Sequence, residues 1–268
     1  MVTPPTSPST VDPARWLRCW TPRPAARLRL VCLPHAGGGA GGYRSWDAIM
    51  PRAVELVAVQ YPGREDRFTD PLVDTMDDLV RHIADAVTAL SERPYALFGH
   101  SMGSAVAWEL AHELRRRGLG EPLRLCVSGR EAPVRARTGT VHLRDDAGMC
   151  AELERLGGTH RDVLADPDLR RAVLSYVRND YRLVETYRPR PRAALSCPIE
   201  VFTGDADPEF APEQARPWAA LTTADTRVHV FPGGHFYLTP RRHDVVTTLV
   251  GRLDPSLTAV NSPWPSTP

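Results

Sequence analysis

Lysine is absent from this sequence, and all 33 of its basic residues are arginine. Several kinds of chemistry need the amine that lysine supplies: a Schiff base with a carbonyl substrate, the anchor of pyridoxal phosphate, a serine–lysine dyad and a Walker A phosphate loop. The sequence therefore excludes these mechanisms. The arginines are interspersed with 32 acidic residues, which leaves a net charge of +1. Because so balanced a chain has no strong field, we expect no nucleic-acid partner and no binding to an anionic membrane.

Long apolar runs and paired cysteines are also missing. No stretch approaches the length of a membrane span, and the first fifteen residues, rich in proline, serine and threonine, lack the apolar centre of a signal peptide. The five cysteines show no CxxC spacing, so neither a disulfide framework nor a zinc site is expected. We predict a cytoplasmic protein without metal or cofactor, in which Cys32 and Cys126 are small core residues.

Strand and helix signals alternate along most of the chain, which predicts a mostly parallel sheet with helices on both faces. Short apolar runs mark the strands, at residues 28–33, 54–59, 95–98, 123–127, 199–203 and 227–231. One amphipathic helix begins near Met76, and a final helix runs through Val250. The length suits a single α/β domain, with its core at about residues 16–133 and 192–252 and flexible tails at 1–13 and 255–268.

The alternation stops at about residues 134–191, where only helix signals remain. The strongest helix there has Asp166 at its cap and Pro167 at its first position. Its apolar face is predicted to contain Leu169, Val173, Tyr176, Val177 and Val184. A helical insertion between the strands of a catalytic sheet is typical of a lid. Packing helices without a gating role are the alternative.

The segment Gly99-His100-Ser101-Met102-Gly103 lies between a predicted buried strand and a predicted helix. A sharp strand-to-helix turn holds its central residue in strained backbone geometry, and the flanking glycines let the two elements pack closely. The serine hydroxyl is then exposed at the edge of the sheet. An ordinary turn serine can carry the same pattern by chance, but the strand–turn–helix context favours a nucleophile.

A serine nucleophile needs a base and a carboxylate that orients the base. His235 follows the last strand in a glycine loop, whereas the other histidines lie in helices, in the insertion, in a strand, in the first loop or beside Ser101. Asp205 and Asp207 both follow the preceding strand. We favour Asp207, three residues past Gly204, and expect Asp205 to cap the turn. The order Ser, Asp, His at strand ends is that of α/β-hydrolases.

Two backbone amides are candidates for an oxyanion hole. The Met102 amide lies at the start of the predicted helix, where it would point toward the same place as the serine. The glycine-rich loop at residues 35–38 can supply a second donor, for which we favour Ala36. A phosphate cradle and a flexible turn are the alternatives for this loop, although the chain has neither a lysine nor the Rossmann spacing.

Five motifs in this chain resemble those of the type II thioesterases, the stand-alone editing thioesterases that accompany modular polyketide and nonribosomal peptide synthetases. They are Pro34-His35-Ala36-Gly37-Gly38, Tyr61-Pro62-Gly63-Arg64-Glu65, Gly99-His100-Ser101-Met102-Gly103, Gly204-Asp205-Ala206-Asp207-Pro208 and Gly233-Gly234-His235-Phe236. The resemblance covers about residues 16–252. The insertion also fits, since Arg178-Asn179-Asp180-Tyr181 and Glu185-Thr186-Tyr187 look like the lid-helix signature of the family, with Asn179 where an alanine is expected.

The resemblance implies an α/β-hydrolase fold with a helical lid, a triad of Ser101, Asp207 and His235, and an oxyanion hole formed by the amides of Ala36 and Met102. It also implies the substrate, an acyl thioester on the phosphopantetheine arm of an acyl or peptidyl carrier protein, which is thus the expected partner. Hydrolysis through an acyl-serine would remove stalled or aberrant acyl groups from a synthase.

Three other functions stay open from the sequence. The same triad could serve an esterase or peptidase that acts on an oxygen ester or amide. It could also serve an acyltransferase or cyclase, in which a nucleophile other than water accepts the acyl group. A non-catalytic module that docks on a synthase is the third. The sequence predicts neither the preferred acyl chain, nor the docking surface, nor the oligomeric state.

Overall fold

The computed structural model describes residues 12–90, 93–135, 139–158 and 161–254. The predicted tails lie outside these residues, except that Asp12 caps a short helix which begins at Pro13. The strands are β1 (Leu17–Arg18), β2 (Leu28–Leu33), β3 (Val54–Val59), β4 (Tyr95–His100), β5 (Leu125–Ser128), β6 (Ile199–Gly204) and β7 (Thr226–Phe231). The helices are α1 (Pro13–Trp16), α2 (Arg44–Asp47), α3 (Met76–Thr88), α4 (Met102–Arg116), α5 (Asp146–Leu156), α6 (Arg161–Ala165), α7 (Pro167–Thr186) and α8 (Arg242–Leu253).

The seven strands form one sheet in the order β1-β3-β2-β4-β5-β6-β7. The short edge strand β1 runs antiparallel to β3, and every other pair of neighbours is parallel. The mostly parallel sheet predicted from the sequence is therefore confirmed. Because parallel strands end at the same edge, the loops that follow β2, β4, β6 and β7 gather at one side of the molecule.

Strand β2 shows how the sheet separates two apolar layers. Leu30 and Cys32 belong to one buried cluster, which α8 covers. Val31 and Leu33 belong to the other, which α3 and α4 cover. Successive side chains of a strand point to opposite faces, so a continuous apolar run is what burial on both faces requires. Full burial of Cys32 and Cys126 confirms that they are core residues.

The insertion contains α5, α6 and α7. As predicted, α7 begins after Asp166, whose carboxylate accepts hydrogen bonds from two backbone amides of the first turn, and Pro167 is its first residue. A separate small apolar cluster joins the three helices: Met149, Leu153, Leu164, Leu174 and Val177. Leu169 was predicted for the apolar face but is 52% exposed, because it lies in the first turn beyond the packed part of the helix.

Several short elements differ from the prediction. Strand β5 begins at Leu125 rather than at Leu123, which is largely exposed. Four elements were not predicted: α1, β1, α2 and the 3-10 helix Pro212–Leu221. Across the described ranges, no helix is long and apolar enough to cross a membrane. The same residues contain no group of three or more histidine, cysteine, aspartate or glutamate side chains that could hold a metal ion.

Candidate active site

Ser101 occupies the turn between β4 and α4 in a strained conformation, with φ 52° and ψ −115°. Such a backbone costs a non-glycine residue about 1–3 kcal/mol, which the surrounding packing must offset. A Cβ at Gly99 would lie 2.0 Å from the Gly103 carbonyl oxygen, and one at Gly103 would lie 2.1 Å from the Leu33 carbonyl oxygen. Only glycine fits at both positions, so the motif is required by how closely β2, β4 and α4 approach each other.

Two further serines brace this turn. The Ser101 amide donates to the Ser128 carbonyl at 2.7 Å, and the Ser104 hydroxyl contacts both the Gly99 and Ser128 carbonyls, at 2.8 and 2.9 Å. The Ser128 amide donates back to the Ser104 hydroxyl at 3.0 Å. The end of β5 thereby fixes the backbone of the strained residue. These contacts were not predicted from the sequence, where only the small size of Ser104 and Ser128 fits a position between closely packed elements.

His235, in the loop after β7, and Asp207, in the loop after β6, lie in contact. The His235 Nδ1 atom is 2.9 and 3.0 Å from the two carboxylate oxygens of Asp207. The side chains are 2% and 0% exposed, so the pair is shielded from water. Asp205, the alternative acid, instead accepts a hydrogen bond from the Gly233 amide at 2.9 Å and caps the turn. Of the two aspartates, Asp207 is therefore the one beside the histidine.

Two more histidines lie around His235, and both stay neutral. The His100 ring is 4.9 Å from the His235 ring, and its Nδ1 atom is 2.9 Å from the Ser128 hydroxyl. Burial, reinforced by the neighbouring imidazoles, holds the pKa of His100 well below its ordinary value. Burial first, and then His235 and Arg64, lower the pKa of His35 to about 3. Of the three imidazoles, only His235 lies against a carboxylate, that of Asp207.

Ala36 and Met102 line the same cavity as Ser101 and His235. Met102 is the first residue of α4, so its amide has no partner within the helix. Ala36 follows the end of β2, where hydroxyls of Tyr43 and Tyr61 hold the Leu33 and Pro34 carbonyls at 3.0 and 3.2 Å. The two predicted oxyanion donors thus belong to the segments that follow β2 and β4, and both residues line the cavity beside the serine.

The cavity has a volume of about 480 Å³ and extends from Ser101 under the helices of the insertion. Its apolar wall is supplied by α5, α6 and α7, through Leu153, Leu156, Val163, Val173, Val177 and Val184. Acidic side chains also reach the wall, but they are paired: Glu152 contacts Arg155 at 2.6 Å, and Glu185 contacts His142 at 2.5 Å. The insertion therefore covers the serine with a chamber in which apolar side chains from three helices lie beside paired acidic groups.

A parallel sheet, a serine on a strand-to-helix turn and a histidine–aspartate pair after two later strands define a serine hydrolase of the α/β-hydrolase fold. Comparison with known proteins narrows this class.

Residues 28–256 match the family model described as the thioesterase domain. The chain belongs to the thioesterase domain family, and it is an enzyme that hydrolyses thioesters. It is 43% identical over 92% of its length to a probable cadicidin biosynthesis thioesterase of Streptomyces griseus, of which it covers 68%.

Two solved structures are also similar. The type II thioesterase BorB from the borrelidin biosynthetic cluster is 42% identical, with a TM-score of 0.82 over 90% of this chain and 98% of BorB. YbtT, a type II thioesterase from the yersiniabactin NRPS/PKS biosynthetic pathway, is 28% identical, with a TM-score of 0.81 over 91% of this chain and 99% of YbtT.

Proposed function

We propose that this enzyme removes acyl groups from the phosphopantetheine arm of acyl or peptidyl carrier proteins, with Ser101 as nucleophile, His235 as general base and Asp207 as the acid that orients it. The observation that carries the proposal is the buried contact between Asp207 and His235, the histidine that lines the same cavity as Ser101. A carboxylate on Nδ1 keeps the hydrogen on that nitrogen and leaves Nε2 free to accept a proton.

In the first half of the reaction, His235 takes the hydroxyl proton of Ser101 and the serine oxygen attacks the thioester carbonyl. The carbonyl oxygen becomes an oxyanion, which the amides of Ala36 and Met102 stabilise by hydrogen bonds. When the carbon–sulfur bond breaks, His235 returns the proton to the pantetheine sulfur, which leaves as a thiol. The acyl group is then an ester on Ser101.

In the second half, a water molecule attacks the acyl-serine and His235 accepts its proton. The same two amides hold the second oxyanion. Collapse of this intermediate releases the free acid and returns the proton to the Ser101 oxygen. The neutral state of His35 and His100 supports this cycle, because no second imidazolium opposes the charge that His235 carries transiently.

The apolar side chains that α5, α6 and α7 contribute to the cavity wall support the proposal that the group removed is an acyl chain. Two of the similar proteins are named for borrelidin and yersiniabactin biosynthesis, and we infer that this enzyme likewise serves a polyketide or nonribosomal peptide synthase in the cytoplasm. Its role there would be to clear stalled or aberrant acyl groups, so that a blocked carrier protein can accept a new one.

A comparison of two matched substrates tests the proposal. The wild type and Ser101→Ala are each given an octanoyl thioester of pantetheine and, separately, the corresponding oxygen ester. Mass spectrometry identifies and quantifies the products. We expect the wild type to release octanoic acid from the thioester at least about tenfold faster than from the oxyester, and the variant to release none. If the oxygen ester were hydrolysed faster than the thioester, the enzyme would be a general esterase. A product in which the acyl group is bound to a nucleophile other than water would indicate a transferase.

Labelling with a fluorophosphonate probe distinguishes a catalyst from a docking module. The probe reacts only with an activated serine. We expect labelling of the wild type and none of Ser101→Ala. An unlabelled wild type that still binds a carrier protein would contradict the proposal.

A further inference from the structure

The loop that contains Ala36 is held by side chains from two distant segments. Asp180, on α7, accepts a hydrogen bond from the Gly37 amide at 2.8 Å through Oδ2. Arg64, in the loop after β3, donates from Nη1 to the Gly38 carbonyl at 3.1 Å. The Gly37 amide belongs to the peptide that directly follows Ala36, so Asp180 controls the orientation of the backbone next to the proposed oxyanion donor.

Asp180 and Arg64 also bind each other. The Nη2 atom of Arg64 is 2.9 Å from Oδ1 of Asp180, and Nη1 contacts Oδ2. Each side chain is only 4% exposed, and the guanidinium lies 4.6 Å from the centre of the Tyr176 ring. Burial lowers the pKa of Arg64, but the Asp180 carboxylate more than compensates and raises it above its ordinary value. The two side chains therefore form a buried ion pair in which the guanidinium of Arg64 keeps its charge.

The loop and the lid helix also touch directly. Gly37 has φ +83°, and a Cβ on it would lie 2.9 Å from a methyl group of Val177. Val177 precedes Asp180 by one helical turn, so both residues lie on the same face of α7. A shift of this helix would therefore move the Gly37 peptide, through the hydrogen bond and through the contact.

Docking of the lid has an anchor of its own, which separates it from the contact with the loop. Asn179, the neighbour of Asp180, donates to the Val73 carbonyl at 2.7 Å and thereby ties α7 to the segment before α3. Among the described residues, no hydrogen bond joins the Asn179 side chain to the loop that contains Ala36. Asn179 therefore attaches α7 to the segment before α3, whereas Asp180 attaches it to the loop that contains Ala36.

We propose that Asp180 and Arg64 are positioning residues for the oxyanion hole: they orient the Ala36 amide through the Gly37 and Gly38 peptide groups, so that the hole is complete only when α7 is seated. This inference rests on the proposed function, which assigns the Ala36 amide to the oxyanion. It makes the lid a part of the catalytic geometry as well as a wall of the acyl chamber.

The main test is the double variant Arg64→Met/Asp180→Leu, since replacing a buried ion pair by apolar residues of similar size often preserves stability. The loss of one oxyanion donor lowers kcat by about 100- to 1000-fold, and displacement by about 1 Å costs about 100-fold. We therefore expect kcat for octanoyl-pantetheine to fall about 10- to 100-fold while KM changes less than about threefold. Thermal unfolding and circular dichroism report whether the variant is folded.

Two single variants at Asp180 separate the hydrogen bond from the charge. Asp180→Asn keeps an oxygen for the Gly37 amide but loses the charge, whereas Asp180→Ala loses both. We expect Asp180→Asn to retain at least about fivefold more kcat than Asp180→Ala. Asp168→Ala is the matched control: this carboxylate is exposed on the same helix and pairs with Arg171, so its kcat should stay within about twofold of the wild type.

The decisive readout is a pair of inhibitors that differ in the oxyanion. An octyl trifluoromethyl ketone forms a tetrahedral adduct with the serine and places a negative oxygen in the hole, whereas a thioether analogue of the substrate does not. In the folded double variant, the ketone should bind more weakly by the same factor as the fall in kcat, and the thioether should bind as before.

Each outcome decides the matter. An active, folded double variant with unchanged kcat and unchanged ketone affinity overturns this inference alone. Equal losses of ketone and thioether affinity overturn it too, because they indicate a damaged pocket. If the double variant is unfolded, equal kcat for Asp180→Asn and Asp180→Ala overturns it, and the expected difference supports it. A wild type without thioesterase activity overturns the proposed function first, and this inference with it.

Discussion

Replacing Asp207 by asparagine should nearly abolish activity without unfolding the protein. The side chain is completely buried, and both of its oxygens lie within 3.0 Å of the His235 Nδ1 atom. The Glu209 amide donates to Oδ1 at 2.8 Å, so the asparagine oxygen will be held there and its amino group will face the ring. An amino group can only donate, which forces Nδ1 to accept and puts the ring hydrogen on Nε2. His235 then cannot take the serine proton.

The expected loss follows from this exchange of tautomers. An asparagine in place of the triad aspartate lowers kcat by about 10⁴ in well-studied serine hydrolases. Each factor of ten corresponds to about 1.4 kcal/mol of activation free energy, so we expect a loss of about 5.5 kcal/mol here. KM should change little, because Asp207 lies behind the histidine and away from the acyl chamber.

Thiol release from octanoyl-pantetheine measures the effect, and Asp205→Asn is the matched control. Asp205 only caps a turn by accepting from the Gly233 amide, which an asparagine oxygen can also do. Its kcat should therefore stay within about threefold of the wild type. A folded Asp207→Asn variant with more than about one tenth of the wild-type rate would refute the reasoning, as would an equal loss in both variants.

The remaining predictions concern pH, packing and substrate length. Burial lowers the pKa of His35 to about 3 and that of His112 to about 4. Near pH 6.5 these two histidines therefore bind protons in the unfolded chain but stay neutral in the folded protein. Urea unfolding should thus show stability falling below pH 6.5, by about 1.4 kcal/mol per pH unit for each such histidine, and His112→Leu should make the fall shallower; a flat profile would contradict this. Gly103→Ala should lower stability by about 2 kcal/mol or more, since its Cβ would lie 2.1 Å from a carbonyl of β2. Gly42→Ala should unfold at the wild-type temperature, because a Cβ added at Gly42 would meet no atom within 4 Å. Leu153→Trp narrows the chamber and should lower kcat/KM for octanoyl-pantetheine about tenfold relative to acetyl-pantetheine; an unchanged ratio would show that the chain binds elsewhere.

The central strands could be predicted because they are buried on both faces. Apart from Arg29 and Glu55, the runs at β2 and β3 are apolar, and their predicted limits agree with the structure. The start of α7 could be predicted because Asp166 and Pro167 act locally, within the first turn. By contrast, β1 contains two residues, too few for any periodicity, and it exists because it pairs with β3. The 3-10 helix Pro212–Leu221 contains Pro217, which interrupts a helical pattern.

The same distinction applies to the site. Ser101, Asp207 and His235 follow β4, β6 and β7, and because parallel strands end at one edge, the sequence was enough to predict that the three residues lie at the same edge of the sheet. Which of Asp205 and Asp207 contacts His235 depends on how the loop after β6 turns. The structure shows that Asp207 does. Arg64 and Asp180 are 116 residues apart, and nothing in either local sequence indicates that they form a pair. Contacts of this kind follow from the packing of the lid onto the sheet.

The central claim is that Ser101 catalyses transfer of a carrier-bound acyl group to water. The most direct test is the intact mass of an octanoyl carrier protein incubated with the wild type and with Ser101→Ala in ¹⁸O-labelled water. We expect the wild type to restore the free phosphopantetheine thiol and to release octanoic acid with one ¹⁸O atom, while the variant leaves the carrier loaded. A carrier that stays loaded with the wild type, or one that Ser101→Ala unloads equally fast, would contradict it.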